Sequence, residues 1–478
     1  MAKFNENVKP SRERSFEGGL NYVKNPVEEW MNFIFSSKMC NTFYESADVQ
    51  QERFIKLTDA IIEQYGPVFA AKCAKFARNE LGMRSASQLV AARLNFEKFE
   101  QKREFYKNFM HRADDPAEIF AAVDMLGGRR SHALVRGCAD YLSSLGDYQI
   151  AKYKMNGKQY NMYDLINITH AHSETIDKYK AGTLAAPETW EVGISTGTTS
   201  WKELVEGHKL GYLALIRNLN NILHSDVDDV WVKKNLVDQI INEVSIHKSL
   251  VFPYQIYTAY RNLSVQNMAV ITALDTAFRI ACGNMPELDG TSVIMLDVSG
   301  SMDDMYGDKS SLSIKEVGAC YAAALYINGN CDFVKFGNDA KTKTFAKASG
   351  PFQIIREMCD NDHCGYGTDI APAFGMIRNK NYDRIFVVSD MQVMDKRSYF
   401  WSTAGYDKAM YSYNEYCANY GRTTLYSFDL GNYHTQIVNS NNPDMHLMTA
   451  LNDNVFKMLK YVEDGGELAD YIEEKYTI

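Results

Sequence analysis

The sequence lacks the features that mark a membrane protein, a disulfide scaffold or a nucleotide hydrolase. No run approaches the roughly 18 consecutive apolar residues of a membrane-spanning helix, so no membrane partner is expected. The opening residues, Met1-Ala2-Lys3-Phe4-Asn5-Glu6-Asn7, have no apolar core of the signal-peptide type. The 9 cysteines are odd in number and include no Cys-x-x-Cys pair. That pattern argues against a disulfide framework and predicts reduced, mostly buried thiols in a cytoplasmic protein. His363-Cys364 follows Cys359, but no fourth soft ligand stands nearby, so a plain loop is expected there. No G-x-x-x-x-G-K-[ST] loop is present to cradle a phosphate. Proline is scarce, 10 in 478 residues, which leaves helices with few breakers.

What is present indicates packed domains. Hydrophobic residues make up 46% and aromatics 12%, which excludes a disordered chain, and the length accommodates two to four domains. The net charge of -9 is unevenly placed. Residues 1–250 balance 32 basic against 32 acidic side chains, whereas residues 251–478 carry 19 against 28. Residues 71–136 run the other way, with 13 basic and 8 acidic residues. A local basic excess in a neutral segment is compatible with nucleic-acid contact, and equally with an ordinary solvated helix face.

The chain reads as three parts: a polar arm over 1–25, a helical domain over 26–284, and an alternating α/β domain over 285–478. The arm looks loosely held. In the helical part apolar residues recur at three and four, most clearly at Tyr212, Leu215, Ile216, Leu219, Ile222 and Leu223. Pro253 opens a further helix, with Phe252, Ile256, Tyr260 and Leu263 on one face. Many helices over about 260 residues exceed one bundle, and stacked HEAT-like pairs accommodate that length. Residues 284–292 break the pattern. Strands are then expected at 293–297, 331–336, 385–389 and 424–430, with helices at 313–327, 352–358 and 407–420 and two more at the end. This alternation predicts a doubly wound, Rossmann-like sheet.

The stretch Val293-Ile294-Met295-Leu296-Asp297-Val298-Ser299-Gly300-Ser301 is the most informative. A short apolar run fits a strand buried on both faces, and Asp297 then lies at its carboxyl end, where open α/β sheets bind ligands. Ser299 and Ser301 alternate around Gly300, so both hydroxyls can face one point beside the carboxylate. One carboxylate with neutral hydroxyls is a hard oxygen set, suited to Mg2+ or Mn2+ rather than zinc. Gly367-Thr368-Asp369 can add a third hydroxyl from Thr368, and Ile385-Phe386-Val387-Val388-Ser389-Asp390 is a second apolar strand leading into a carboxylate. The competing explanation is that Ser299 and Ser301 only cap the helix near Ser313. The set Asp297, Ser299, Ser301, Thr368 and Asp390 resembles, at all five positions, the metal-ion-dependent adhesion site (MIDAS) of von Willebrand factor A domains. An acidic loop with Asp303, Asp304 and Asp308 borders it. Only two carboxylates belong to the set and no general base is apparent, so catalysis is not expected.

Several helical segments resemble the TROVE module of the Ro ribonucleoprotein family, which joins a ring of HEAT-like helices to a von Willebrand A domain. They are Lys152-Tyr153-Lys154 with Asn156-Gly157 and Asp164-Leu165 through Thr169-His170; Trp201-Lys202-Glu203-Leu204 with Leu213 to Leu219; His247-Lys248 through Gln255; and Ala273 to Phe278. The resemblance covers roughly residues 65 to 460. It implies a monomeric ring, a non-catalytic scaffold for small non-coding (Y-like) or misfolded RNA, and a metal site that takes an acidic residue of a protein partner. Lys152 and His170 match positions that contact RNA in the family, with Lys154 nearby; Met155 stands where the family has arginine. Independently of the resemblance, Arg129, Arg130, His132 and Arg136 cluster after Gly127-Gly128 and are candidates for phosphate contact. The alternative is a metal-dependent adhesion module on a helical scaffold with no RNA role.

Overall fold

The computed structural model describes residues 12–14, 20–24, 26–36, 45–80, 82–153, 155–185, 189–285, 288–307, 310–346, 348–393, 408–439, 442–448, 459 and 468–478. They form two compact units, one of Trp30–Met39, Gln51–Thr199 and Met458–Ile478, the other of Met1–Glu29, Cys40–Gln50 and Ser200–Lys457. The fold class is the expected one: a helical array, then a doubly wound sheet. Among the described residues no helix is long and apolar enough to cross a membrane, and the eight described cysteines are all free thiols.

Among its described residues the first unit has helices and no strands, the helices packing against one another. Helix Pro67–Asn79 starts on proline, whose missing N–H costs nothing at that position, and buries Phe69, Ala70, Cys73, Ala74 and Ala77. Helix Lys102–Phe109 lies on helix His132–Ser143 at Gly137, where a Cβ would stand 2.6 Å from the Tyr106 Cβ and 2.7 Å from the Arg103 carbonyl oxygen. Asp115, fully buried, accepts from Arg78 at 2.7 Å, Gln88 at 2.8 Å and the amides of His111 and Arg112 at 2.9 Å each. This carboxylate ties three segments together and balances the buried charge of Arg78. The C-terminal helix Leu468–Lys475 belongs to this unit, with Lys72 donating to Glu473 at 2.8 Å and Tyr476 set edge-on to Phe76. The other terminal helix expected from the sequence falls outside the described residues.

The second unit contains helices and the sheet. Its expected long helix across Leu210 to Leu223 is interrupted, forming Tyr212–Arg217 and Leu219–Leu223 on either side of Asn218. The Asn218 side-chain Nδ2 donates to the Ala214 carbonyl at 2.8 Å, a local bond that competes with the helical ladder. The apolar stripe survives the break: Tyr212, Leu215, Ile216, Leu219 and Ile222 are buried.

Nine strands are described: β1 (Arg12–Arg14), β2 (Leu20–Val23), β3 (Ser292–Asp297), β4 (Cys331–Phe336), β5 (Ala340–Thr342), β6 (Arg384–Ser389), β7 (Thr424–Asp429), β8 (Thr435–Gln436) and β9 (Met445–Met448). The main sheet has the order β5-β4-β3-β6-β7-β9, parallel except for the edge strand β5. All six residues of β3 are buried, as a strand covered on both faces requires. Helix Ile314–Asn328 covers one face; Gly318 comes so close that a Cβ would meet Leu296, Val388 and Leu430 at 3.0 to 3.2 Å. The other face packs Val293, Met295, Ile385 and Val387 against Phe374, Tyr413 and Tyr416. The chain leaves β3 toward β4 on one side and returns to β6 on the other, so the carboxyl ends of β3 and β6 flank the switch-point crevice.

Two features depart from the sequence reading. Strand β9 extends the sheet where only helices were expected. Residues 20–23, placed in a loosely held arm, instead form strand β2 between β1 and β8, with Tyr22 buried in the sheet core and Lys24, just after the strand, buried as well.

Candidate functional site

The switch-point crevice gathers Asp297 from the end of β3, Ser299 and Ser301 from the turn after it, and Asp390 from the residue after β6. Ser299, Ser301, Asp297 and Asp390 are all buried. The Ser299 amide donates to Asp297 Oδ1 at 2.8 Å, and the hydroxyls of Ser299 and Ser301 face each other at 3.4 Å. Helix Ile314–Asn328 is capped by Ser313 itself, whose Oγ accepts the Glu316 amide at 3.1 Å while the Glu316 carboxylate accepts the Ser313 amide at 3.0 Å. Ser299 and Ser301 therefore have no part in capping it, which removes the competing explanation for them.

The sequence reading missed Ser389, which donates its hydroxyl to Asp297 Oδ2 at 2.6 Å and so joins the two strand ends. The signal was available, since Ser389 immediately precedes a candidate ligand on a buried strand. Thr368, also buried, stands on a loop docked beside the turn: the Gly300 amide donates to the Tyr366 carbonyl at 2.8 Å, and the Asp369 amide to the Gly337 carbonyl at 2.7 Å. Tyr366 itself is 75% exposed at the rim. In the bordering acidic loop Asp303 pairs with Lys315, and Asp308 lies outside the described residues.

The electrostatics are those of two carboxylates out of water and close together. Burial raises the Asp297 pKa, against hydrogen bonds from Ser389 and Ser299. Burial and then repulsion from Asp297 raise that of Asp390, against the Ser301 hydroxyl and the Gln392 amide. Asp390 Oδ2 is buried with no hydrogen-bond partner. An orphaned carboxylate oxygen beside a second carboxylate and converging hydroxyls fits a divalent cation with hard-oxygen preference. Among the described residues no group of three or more His, Cys, Asp or Glu side chains offers a softer metal site.

The candidate RNA residues lie in the first unit. Lys152 ends helix Asp147–Lys152, exposed, 3.3 Å from the Tyr148 hydroxyl and 3.7 Å from the Glu191 carboxylate. His170 is the left-handed C-cap of helix Met162–Thr169, with φ 56° and an exposed side chain. Lys154 lies outside the described residues. His132 and Arg136 are exposed one turn apart on helix His132–Ser143, and exposed Arg129 precedes it. Arg130 has a different fate. Its guanidinium sits 4.7 Å from the centre of the Phe120 ring and 4.9 Å from that of Tyr160, and donates to both Asp124 oxygens at 2.7 and 2.9 Å. Its charge is spent inside the protein, and it ties the loop before the helix to Tyr160.

In the second unit an open cavity of about 240 Å3 lies between helices Tyr212–Arg217 and Pro253–Arg261, with Arg217, Tyr254, Asn262 and Leu263 in its wall. The sequence Gly193-Ile194-Ser195-Thr196-Gly197 spells the G-x-S-x-G string of hydrolases, but the elbow requires a strand before the serine. Here it closes helix Trp190–Thr196, and Ser195 donates to the Val192 carbonyl at 3.0 Å.

Residues 149–270 match the family model of the TROVE domain, the module that the sequence resembles. No curated protein matches the chain by sequence. Among solved structures, the crystal structure of the Deinococcus radiodurans Ro (RSR) protein aligns with a TM-score of 0.63 at 15% identity, over 90% of this chain and 98% of that one. Proximal thread matrix protein 1 from the mussel byssus aligns over 38% of this chain and 48% of its own, with a TM-score of 0.23 at 13% identity.

Proposed function

We propose that this chain, with its TROVE domain and the fold of a Ro protein, is a non-catalytic RNA-binding scaffold that also carries a divalent-metal site. The carrying observation is the TROVE match over 149–270, which contains Lys152, His170 and the open cavity at Arg217. Chemistry supports it. Exposed Lys152 and Arg217 can neutralise phosphates, and His170 can stack on a base or donate to its edge. Arg129, His132 and Arg136 form a second exposed basic group, linked through Arg130 and Tyr160 to the loop that follows Lys152. The ligand class is small non-coding or misfolded RNA, held by backbone contacts and by unpaired bases.

The metal reading is that Asp297, Ser299, Ser301, Thr368 and Asp390 hold Mg2+ or Mn2+. The ion would supply a Lewis-acidic coordination position for the carboxylate of a protein partner. Two carboxylates balance the charge of one dication, and Ser389 fixes the rotamer of Asp297 by the 2.6 Å hydrogen bond. Filter-binding titration with a structured RNA bearing a single-stranded end, at several salt concentrations, tests the RNA reading. Salt-dependent affinity is expected, with the slope of log K against log[salt] reduced by roughly 0.7 to 0.9 for each phosphate contact removed in Lys152→Ala or Arg217→Ala. Affinity that is absent at low salt, or unchanged in both variants, refutes it.

A further inference from the structure

The ion pair between Lys24 and Asp429 joins residues 405 positions apart, and both side chains are completely buried. The Lys24 ammonium donates to Asp429 Oδ2 and to the Tyr433 carbonyl, each at 2.5 Å. The other oxygen of Asp429 accepts the amides of Gly431 and Asn432, both at 2.9 Å. Both oxygens of Asp429 therefore have donors. Its position gives this meaning. It ends β7 as Asp297 ends β3, and it pairs in register with Ser389, the neighbour of Asp390 and the donor to Asp297. The Leu430 amide donates to the Ser389 carbonyl at 3.0 Å, and a Cβ at Gly431 would stand 2.8 Å from the Asp390 carbonyl oxygen. The β6–β7 register sets Asp429 one strand from Asp390, where its charge adds an upward push on the Asp390 pKa that is smaller than those of burial and Asp297.

Three adjoining strand ends thus carry three carboxylates, and one of them is answered by a lysine from the far end of the sequence. We propose that Lys24 is a resident counter-cation of the metal centre: by neutralising Asp429, it leaves two carboxylates, the charge of one divalent ion, for the cation. The inference rests on the metal reading above. Lys24 is a positioning residue and touches no metal. Its segment is fastened well enough to hold a fixed charge, since β2 pairs with β8, Tyr22 is packed in the sheet core, and His434 reaches Glu29 at 2.7 Å. An exposed lysine would be screened by water; a buried one acts at low dielectric and at a fixed distance.

The test is calorimetric titration of Mg2+ into the full chain at pH 8, with thermal unfolding in EDTA alongside. In Lys24→Met, Asp429 keeps its two amide donors and its charge, so Mg2+ is bound roughly tenfold more tightly or better, while unfolding in EDTA occurs at lower temperature. A strut without an electrostatic role would weaken metal binding or leave it unchanged, and either result overturns the proposal. The double variant Lys24→Met/Asp429→Asn removes both charges and returns Mg2+ affinity to within about twofold of wild type; failure to do so also overturns it. Should Lys24→Met not fold, this double variant and Asp429→Asn carry the test, the latter binding Mg2+ more weakly because Lys24 is left uncompensated. Wild-type protein that takes up no Mg2+ overturns the metal reading and this inference together. Wild-type binding with an indifferent Lys24→Met overturns the inference alone.

Discussion

Asp390→Asn separates a metal site from a mere knot of polar side chains, because the two give opposite signs of stability change. Asp390 is fully buried, its Oδ2 has no partner, and Asp297 repels it. Leaving a buried polar atom unsatisfied costs about 1–3 kcal/mol, and more when charged. Asparagine keeps the shape, removes the charge, and gives an N–H that the Asp297 carboxylate can accept. In EDTA the variant is therefore expected to be more stable than wild type by about 1–3 kcal/mol, a rise in Tm of several degrees at roughly 2–4 °C per kcal/mol for a domain of this size. Mg2+ reverses the order. At one hundred times its Kd a ligand specific to the folded state adds about 2.7 kcal/mol, and only wild type has the two carboxylates to receive it. Thermal unfolding of both proteins in EDTA and in saturating Mg2+ should show the curves exchange places. A variant less stable in both buffers, or one with the wild-type Mg2+ increment, would refute the assignment of Asp390 as a ligand.

The same carboxylates predict a pH dependence with a defined sign. Their folded pKa values lie above the ordinary carboxylate range, so between about pH 4 and the raised values the folded state binds more protons than the unfolded. In EDTA the sheet domain should lose stability as pH rises through that window; with Mg2+, which needs both groups ionised, the trend should invert. A stability curve in EDTA that rises across the window contradicts this. For the RNA surface, Arg129→Ala/Arg136→Ala should weaken RNA binding and flatten its salt dependence with little change in Tm, since both side chains are exposed. Arg130→Ala should do the reverse, costing about 1–3 kcal/mol because Asp124 and two aromatic rings lose their partner. Equal effects from the two sets of substitutions would show the basic group to be one uniform patch. Asp115→Ala should be the harshest change in the helical unit, about 3–5 kcal/mol by chemical denaturation, because it strands Arg78 in the interior. A loss below 1 kcal/mol would mean that Arg78 is reached by water.

Much of the sheet domain was legible because its signals are local. An apolar run that leads into aspartate sets a buried strand and its chemistry in five or six consecutive residues, as Val293 to Asp297 and Ile385 to Asp390 do. The helix from Ile314 carries its own cap, Ser313 with Glu316, within four positions. The interruption at Asn218 was hidden because apolar spacing records which face is buried, not whether the ladder is continuous. Strand β9 was hidden for a related reason: Met445-His446-Leu447-Met448 is four residues long and half-buried, too short for either period to declare itself.

The charged residues mark the boundary of what sequence can say. Arg129 and Arg130 are neighbours of identical type in one basic cluster, yet one is exposed and the other is held by Asp124, Phe120 and Tyr160. What separates them is a carboxylate six residues upstream and a tyrosine 30 residues downstream, relations that no net charge over a window contains. The same holds more strongly for Lys24. In the sequence it is one polar residue in an unremarkable arm. In the fold it is a desolvated cation paired with a carboxylate 405 positions away, at the end of a strand that closes on aspartate as β3 does. Aspartates end or follow three adjoining strands, at Asp297, Asp390 and Asp429, and the chain treats the three differently: the Ser389 hydroxyl and the Ser299 amide donate to the first, the second keeps an oxygen unpartnered, and an ammonium closes the third. A buried carboxylate survives folding only if something answers its charge. For Asp429 that answer is built into the chain; for Asp297 and Asp390, whose pKa values stay raised despite their hydrogen bonds and the charge of Lys315, a proton or a cation from solution completes it, which is the physical reason for proposing the cation there.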